Sequence, residues 1–320
     1  MSLSEDVRSE LAAIAPRKQC CRLAELSALV RSGGSVHLHG GGRVTLHLEV
    51  ASPAVARRAF ALLRGYGVAS EIRTFRQQAF EHARRFQIHV GRVVPDAVGG
   101  GVVGKDDPRA LQVLNEIGVL DSRLIPLEQP PRRIVGRSCC RAAYLRGALL
   151  AAGSVTGPPN AHLELRAATP EAAAFLARIA GQEGFFLTVH ERNSHAIAYA
   201  KASETIAELL AFLGAGDAAL RLGENAVVAA TRARANRLAN ADHANIVRAS
   251  RAADAQLRAI RRLESAGRLD DLPAELKEVA RLRARHPTLS LRELAAKCKP
   301  PLTKAAAQRR FAKLQRLAER

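Results

Sequence analysis

The stretch CCRLAELSALVRSGGSV at Cys20–Val36 recurs 119 positions later as CCRAAYLRGALLAAGSV at Cys139–Val155. Eight of the 17 residues match in register, and each copy runs on through a turn into a His-Leu-Glu triplet, at His47–Glu49 and His162–Glu164. Because this repeat unit is far longer than the unit of a solenoid, it predicts a whole domain that was copied once. We expect the two halves to pair across a pseudo-dyad within one chain, which is compatible with a monomeric protein.

The repeated helix carries a recognisable motif. Leu26–Ser35 and Leu145–Ser154 resemble degenerate forms of the LAGLIDADG helix, which gives a family of homing endonucleases its name. In that family, small residues let two such helices pack closely, and the acidic residue before the final Gly binds a divalent metal ion. The corresponding positions are Gly33 and Ala152, which offer no oxygen ligand to a hard cation such as magnesium. The resemblance thus implies the fold, while two-metal hydrolysis lacks its ligands. No catalytic residue, metal or cofactor is expected.

The charge is concentrated at one end of the chain. The formal net charge of the 320 residues is +19, and residues 251–320 hold 18 Lys or Arg against eight Asp or Glu. A basic segment with helix periodicity is typical of nucleic-acid binding, because release of counterions from phosphates drives affinity. No apolar run approaches the roughly 20 residues of a membrane span. We expect a cytoplasmic, nucleoid-associated protein with no membrane partner.

The alternation of period-2 and period-3.6 patterns predicts an α+β fold, in which a duplicated αββαββα saddle precedes an all-α helix-turn-helix domain. A strand-poor stretch follows the saddle, and then a long helix is predicted at Asp242–Ser265 with an apolar stripe from Ile246 to Leu263. The expected segments are the first half of the saddle, the second half, a connecting segment with the long basic helix, and the helix-turn-helix domain, at residues 1–125, 126–216, 217–272 and 273–320.

Three short helices are predicted in the last segment, at Ala274–Arg285, Leu291–Lys297 and Lys304–Ala318. Ser290 and Glu293 form a capping box before the second helix, and Thr303 can cap the third. Since the N-terminal half of the second motif helix enters the major groove, its first exposed residues are candidates for contact with base edges, and the later basic residues for contact with phosphate. The base-edge candidates are Lys304, Ala305, Gln308 and Arg309, and the phosphate candidates are Lys313 and Arg316.

Two other motifs favour structural interpretations. Four of the five cysteines form adjacent pairs in the repeated helices. Adjacent residues on a helix diverge by about 100°, so we expect small buried residues rather than ligands that face one metal ion. Gly99–Lys105 has the spacing of a phosphate-binding loop, but Asp106 stands where the motif needs Ser or Thr, which favours a surface loop.

Together these features resemble the WhiA family of bacterial regulators, which join a duplicated LAGLIDADG-like domain to a C-terminal helix-turn-helix. The most specific matches are the repeated motif at Cys139–Val155, the triplet at His162–Glu164, and Asn236-Arg237 with Asn240. Lys304 and Arg310 correspond to the family's usual basic positions. The resemblance implies a DNA-binding transcription regulator of cell division, chromosome segregation and sporulation. It also implies three partners, namely double-stranded DNA, a WhiB-type iron–sulfur protein and the principal sigma factor of RNA polymerase.

Three functions remain open at this point. The leading one is a sequence-specific regulator, and the second is an architectural protein that binds DNA without reading bases. The third is a residual nuclease that recruits metal through other carboxylates, for which the candidates are Glu25, Glu49 and Glu164.

Overall fold

The computed structural model of the protein describes residues 2–39, 43–76, 84–90 and 108–319. The chain divides into two compact units, Met1–Ala230 and Thr231–Arg320. The glycine-rich loop at Gly99–Lys105 lies outside the described residues. Within the described part of the chain, no helix is both long and apolar enough to cross a bilayer.

The first half of unit 1 contains one helix that the sequence pattern did not predict, followed by the predicted order αββαββα. Its elements are α1 (Leu3–Ala13), α2 (Gln19–Gly33), β1 (Gly34–His39), β2 (Arg43–Val50), α3 (Pro53–Gly65), β3 (Glu71–Arg76), β4 (Arg84–Val90) and α4 (Pro108–Glu116). The strands form an antiparallel sheet in the order β1-β2-β4-β3. Alternate residues of β2 are buried, as its period-2 pattern predicts.

The second half repeats this arrangement after a short helix. Its elements are α5 (Arg132–Val135), α6 (Ser138–Ala152), β5 (Gly153–Thr156), β6 (His162–Ala167), α7 (Pro170–Gly181), β7 (Thr188–Arg192), β8 (His195–Ala200) and α8 (Ser203–Leu213). The antiparallel sheet has the order β5-β6-β8-β7, the counterpart of the first sheet. The shared topology confirms the duplication that the repeated motif predicts.

The two repeated helices, α2 and α6, pack against each other with their backbones in close contact at Gly147. A Cβ atom at Gly147 would lie 2.5 Å from the carbonyl oxygen of Glu25 and 2.9 Å from the Cβ of Ala28. Ala24, Ala28 and Ala148 are fully buried in the same contact region. Small side chains therefore allow the backbones to approach, and the α2–α6 contact joins the two halves.

A buried ion pair links these helices as well. Arg146 on α6 donates two hydrogen bonds to Oε2 of Glu25, from Nε at 3.0 Å and from an NH2 group at 2.8 Å. Arg58 on α3 donates to Oε1 of the same carboxylate at 2.7 Å. Arg146 also donates to the carbonyl oxygen of Leu213 at 3.1 Å. Since Glu25 is fully buried and Arg146 is 7% exposed, each charge depends on the other for compensation.

Helix α1 connects both halves. Its Val7 and Leu11 are buried in the core. The guanidinium of Arg8 donates to the carbonyl oxygen of Gly153 at 2.8 Å, and the hydroxyl of Ser4 accepts from the backbone N–H of Val155 at 2.7 Å. On the other side, Ser52 donates to the carboxylate of Glu5 at 2.7 Å. One short helix thus holds the start of α3 and the α6–β5 junction.

The connecting region is a single helix, α9 (Gly216–Ser265), 50 residues long. The prediction that a helix begins at Asp242 was wrong, since the helix already begins at Gly216. Residues 217–241 are rich in Ala, Arg and Leu and contain no Pro. Their intrinsic propensity favours helix even though their amphipathic periodicity is weak. The predicted apolar stripe is also wrong at its start, since Ile246 is 68% exposed, whereas Ile260 and Leu263 are buried.

We expect the substitution Gly147→Ala to lower the free energy of unfolding of unit 1 by about 1 to 3 kcal/mol, because the added methyl group forces α2 and α6 apart. Urea denaturation followed by circular dichroism measures this. The matched control is Gly181→Ala at the end of α7, where an added Cβ meets no atom within 4 Å. Equal losses in the two variants would contradict a close-packed α2–α6 contact.

Arg146→Met should cost more, about 3 to 5 kcal/mol, because it leaves the buried carboxylate of Glu25 with one cationic partner instead of two. The same denaturation experiment applies. Arg178→Met, at an exposed position where the side chain donates to Gln129, should change the free energy of unfolding by less than about 1 kcal/mol. An Arg146→Met protein as stable as the Arg178→Met protein would refute the role of this pair.

Candidate nucleic-acid interface

Three short helices of unit 2 begin and end at the predicted residues. They are α10 (Ala274–Arg285), α11 (Leu291–Lys297) and α12 (Lys304–Ala318). Their apolar faces enclose a core with the end of α9, and its fully buried members are Leu263, Leu276, Val279, Leu294, Phe311 and Leu314. The predicted inner face of α12, from Ala307 through Phe311 to Leu314, is buried as expected. This packing fixes which side of α12 is left exposed.

Hydrogen bonds fix the start of α11 and the turn that leads from α11 into α12. The predicted capping box is present: the Ser290 hydroxyl accepts from the N–H of Glu293 at 3.3 Å, and the Glu293 carboxylate accepts from the N–H of Ser290 at 2.8 Å. Thr303 accepts from the N–H of Ala306 at 3.2 Å and so caps α12. Within the turn, the N–H of Leu302 donates to the carbonyl oxygen of Ala295 at 2.9 Å. The start of α12 is therefore held in a defined direction.

The outer side of α12 presents the candidate contact residues. Six of the seven are exposed: Lys304, Ala305, Gln308, Arg309, Lys313 and Arg316. They lie on successive turns opposite the buried face, with the small residue Ala305 beside the basic ones. Such a face can enter a groove and donate hydrogen bonds to base edges and phosphates.

Arg310, the seventh candidate, differs from the others. Its guanidinium lies 3.1 Å from a carboxylate oxygen of Glu275 and 3.8 Å from one of Glu278, both on α10. Glu278 also accepts from the backbone N–H of Lys299 in the turn, at 2.7 Å. Arg310 therefore links α12 to α10 and, through Glu278, to the turn. Its side chain is half-buried, whereas those of the other six candidates are exposed.

Arg283 is a buried structural residue of this unit that the sequence pattern did not reveal. It is 2% exposed and donates to the side-chain oxygen of Gln256 at 2.9 Å and to the carbonyl oxygen of Leu289 at 2.6 Å. Its guanidinium carbon lies 5.6 Å from the ring centre of Phe311. Burial lowers the pKa of Arg283. Because one side chain contacts α9, α12 and the loop before α11, it organises the whole unit, yet in the sequence it is one basic residue among many.

Comparisons with known proteins agree with this architecture. Residues 19–96 match the model of the WhiA N-terminal LAGLIDADG-like domain, residues 141–232 the WhiA LAGLIDADG-like domain, and residues 235–318 the WhiA C-terminal HTH domain. A relative from Heliobacterium modesticaldum, named probable cell division protein WhiA, is 35% identical over 100% of this chain and 96% of its own length. The chain belongs to the WhiA family.

Other members of the family extend the comparison. A protein of the same name from Symbiobacterium thermophilum is 33% identical over 100% of this chain and 98% of its own length. The crystal structure of full-length DUF199/WhiA from Thermatoga maritima covers 100% of this chain and 98% of its own, with a TM-score of 0.56 at 20% identity. The family and the fold that the sequence resemblance implied are thus confirmed.

The positions of the LAGLIDADG acidic residues lie at the C-terminal ends of α2 and α6. A Cβ at Gly33 would lie 3.1 Å from the Leu48 side chain, 3.2 Å from the Cβ of Ala151 and 3.2 Å from the backbone carbonyl oxygen of Glu49, so close neighbours already fill this place. The alternative carboxylates are engaged elsewhere. Glu25 is paired with Arg146 and Arg58, Glu49 accepts from Gln87 at 3.3 Å, and Glu164 accepts from His162 at 3.3 Å and from Arg192 at 3.4 Å.

The cysteine pairs are placed differently from the prediction. In the described part of the chain, the side chains that converge as possible metal ligands are the thiols of Cys20, Cys21, Cys139 and Cys140, whose sulfur atoms all lie within 4.8 Å of one another. The expectation that adjacent cysteines cannot face one centre was wrong. The two cysteines on one helix point about 100° apart, but a second helix with the same pair lies directly beside the first. Thiols from both helices therefore come together.

We expect Arg283→Met to destabilise unit 2 by about 1 to 3 kcal/mol, because the oxygens of Gln256, Pro287 and Leu289 lose their donor. Hydrogen exchange of the α10–α12 amides in the full-length protein measures this as faster exchange. The control is Arg281→Met, an exposed residue on the same helix. If both variants exchange like the wild type, Arg283 does not organise this unit.

Proposed function

We propose that the protein is a sequence-specific DNA-binding transcription regulator, and that α12 is the helix that enters the major groove. The observation that carries this proposal is the exposed polar group at the start of α12, next to a capped turn and opposite a fully packed face. In a helix-turn-helix, these positions of the second helix contact base edges. The match to the WhiA C-terminal HTH domain supports the same assignment.

The residues divide by their chemistry. Arg309 can donate a bidentate pair of hydrogen bonds to guanine, and Gln308 can make the corresponding pair with adenine. Lys304 is a further base-edge candidate, and the small side chain of Ala305 permits close approach. Lys313 and Arg316, further along the helix, are suited to phosphate. We assign Arg310 an indirect role, since it is paired with α10.

We propose that the protein associates with the nucleoid and controls genes for cell division, chromosome segregation and sporulation. Relatives from two bacteria carry the name probable cell division protein WhiA. The partners proposed besides double-stranded DNA are a WhiB-type iron–sulfur protein and the principal sigma factor of RNA polymerase. Unit 1, with its nuclease-like fold, would then serve as the platform on which they assemble.

We further propose that the protein does not cleave DNA. Gly33 and Ala152 supply no oxygen ligand where the LAGLIDADG helix has its acidic residue, and the nearby carboxylates are engaged by cations, a histidine or an amide. Incubation of supercoiled plasmid with the protein and either magnesium or manganese should give no nicked or linear product. Cleavage that depends on Glu25, Glu49 or Glu164 would overturn this proposal.

The experiment that tests the regulator uses immunoprecipitation of the full-length protein from cells, followed by sequencing of the bound DNA. We expect discrete peaks with a shared short motif, and loss of those peaks in the variant Gln308→Ala/Arg309→Ala. Arg281→Ala, on the exposed side of α10, is the matched control and should retain the peaks. Peaks that survive the double substitution would contradict base recognition by α12.

Binding in vitro separates the two classes of contact. Arg309→Ala should lose about 1 to 3 kcal/mol of discrimination at one base pair, while Lys313→Ala should weaken binding to all sequences alike and reduce the salt slope by about 1. Fluorescence anisotropy with the motif and with single-base variants, at several salt concentrations, measures both effects. Equal losses on specific and random DNA in both variants would refute the assignment.

An architectural DNA-binding protein is the alternative, and one observation favours it. Helix α9 exposes a series of arginines along its second half, namely Arg248, Arg251, Arg258 and Arg262. These residues could neutralise phosphates without reading bases, which predicts steep salt dependence and little discrimination among sequences. Diffuse occupancy of the genome that persists in the Gln308→Ala/Arg309→Ala variant would support this alternative over the regulator.

A further inference from the structure

Four thiols meet where the N-terminal ends of α2 and α6 come together. Each helix contributes its second and third residues, Cys20 and Cys21 from α2 and Cys139 and Cys140 from α6. We propose that these four cysteines bind one zinc ion as thiolates, in a structural site that joins the two halves of unit 1.

The distances fit a single ion. All four sulfur atoms lie within 4.8 Å of one another, and those of Cys139 and Cys140 are 4.0 Å apart. A tetrahedral zinc ion with Zn–S bonds of about 2.3 Å holds its sulfur ligands about 3.8 Å apart. The largest separation between these sulfur atoms therefore exceeds the tetrahedral separation by about 1 Å at most. An iron–sulfur cluster, whose core contains several atoms, requires a wider cage of thiolates.

Zinc matches the ligand set. Thiolates are soft ligands that select zinc, copper(I) or iron–sulfur centres, and four of them in a tetrahedral arrangement are typical of structural zinc. Cys21 and Cys140 are buried, while Cys20 and Cys139 are half-buried. A closed site of this kind leaves no open position for a reacting molecule, so the proposed role is structural rather than catalytic.

The surroundings favour negative charge. Both helices start without a side-chain cap, at Lys18 and at Arg137, and the thiols lie in the first turn of each helix, at the positive end of its dipole. Arg137 places a positive charge close to Cys20. These positive groups would offset the two negative charges of a zinc ion with four thiolates.

The proton balance shows what a cation would change. A free cysteine has a pKa of about 8.5, so a thiol without a cation is mostly protonated at neutral pH. Binding of Zn²⁺ replaces four S–H protons with four Zn–S bonds and releases four protons to solvent, which leaves a complex of charge −2. Metal binding then becomes part of the folding free energy of this region.

This site is separate from the former hydrolytic centre. Cys20 and Gly33 are 13 residues apart on one continuous helix, which places them about 20 Å apart along its axis. The α2–α6 pair would therefore carry a thiolate-bound ion at its N-terminal end. The LAGLIDADG acidic positions, Gly33 and Ala152, lie at its C-terminal end.

The test measures the metal content of the untagged full-length protein, purified under reducing conditions, by plasma mass spectrometry. We expect about one zinc per chain, and near none in Cys20→Ala and Cys140→Ala. The matched control is Cys298→Ala, because Cys298 is the fifth cysteine and lies in the core of unit 2. This variant should keep its zinc.

Cobalt provides a second readout that does not depend on how the protein was purified. Protein freed of metal by a chelator and then titrated with Co²⁺ should develop the absorption bands of tetrahedral cobalt with four thiolates, saturating at about one equivalent. Zinc should then displace the cobalt and abolish the bands. Circular dichroism verifies that each cysteine variant is folded before its metal content is compared.

Three results would overturn the proposal. The first is wild-type protein with fully reduced thiols that takes up neither zinc nor cobalt. The second is zinc content that is unchanged in the folded Cys20→Ala and Cys140→Ala variants. The third is an intact mass lighter by two hydrogens for each pair of these cysteines in protein from reducing cells, which would show disulfides in place of metal.

Discussion

The close approach of α2 and α6 is the constraint on which the rest of unit 1 depends. Two helices can approach this closely only where small residues face each other, and Gly147 has no room for even a methyl group. The same approach brings Arg146 to the carboxylate of Glu25 in a place without water access. Each sheet then packs beside one of these helices, so the position of both sheets follows from the contact between the helices.

The sequence predicted those parts of the structure that are encoded by local pattern or by repetition. The duplicated motif predicted the two αββαββα halves, and the capping residues Ser290 and Thr303 predicted the helices of unit 2. Helix α1 was missed because it belongs to neither copy of the repeat and buries only Val7 and Leu11. The full length of α9 was missed because its first half follows propensity rather than amphipathic spacing.

Errors about individual side chains share a different cause. Arg310 was predicted as a DNA contact, but it is paired with glutamates of α10. Arg283, which the sequence pattern did not single out, is buried against the ring of Phe311. The four cysteines were judged one helix at a time, whereas their proximity arises between helices. Ion pairs, burial and thiol clusters that form between helices depend on which helices become neighbours. The spacing of residues along one helix does not predict this.

The contacts of α1 with distant parts of the chain can form only in a certain order during synthesis. Ser4 is hydrogen-bonded to Val155, which follows it by 151 positions. At a synthesis rate of about 5 to 20 residues per second, the ribosome needs roughly 8 to 30 s to supply that partner. During this interval α1 can pack against α3, but its hydrogen bonds at the α6–β5 junction cannot form. The two halves of unit 1 are thus joined through α1 only after the chain has been synthesised beyond Val155.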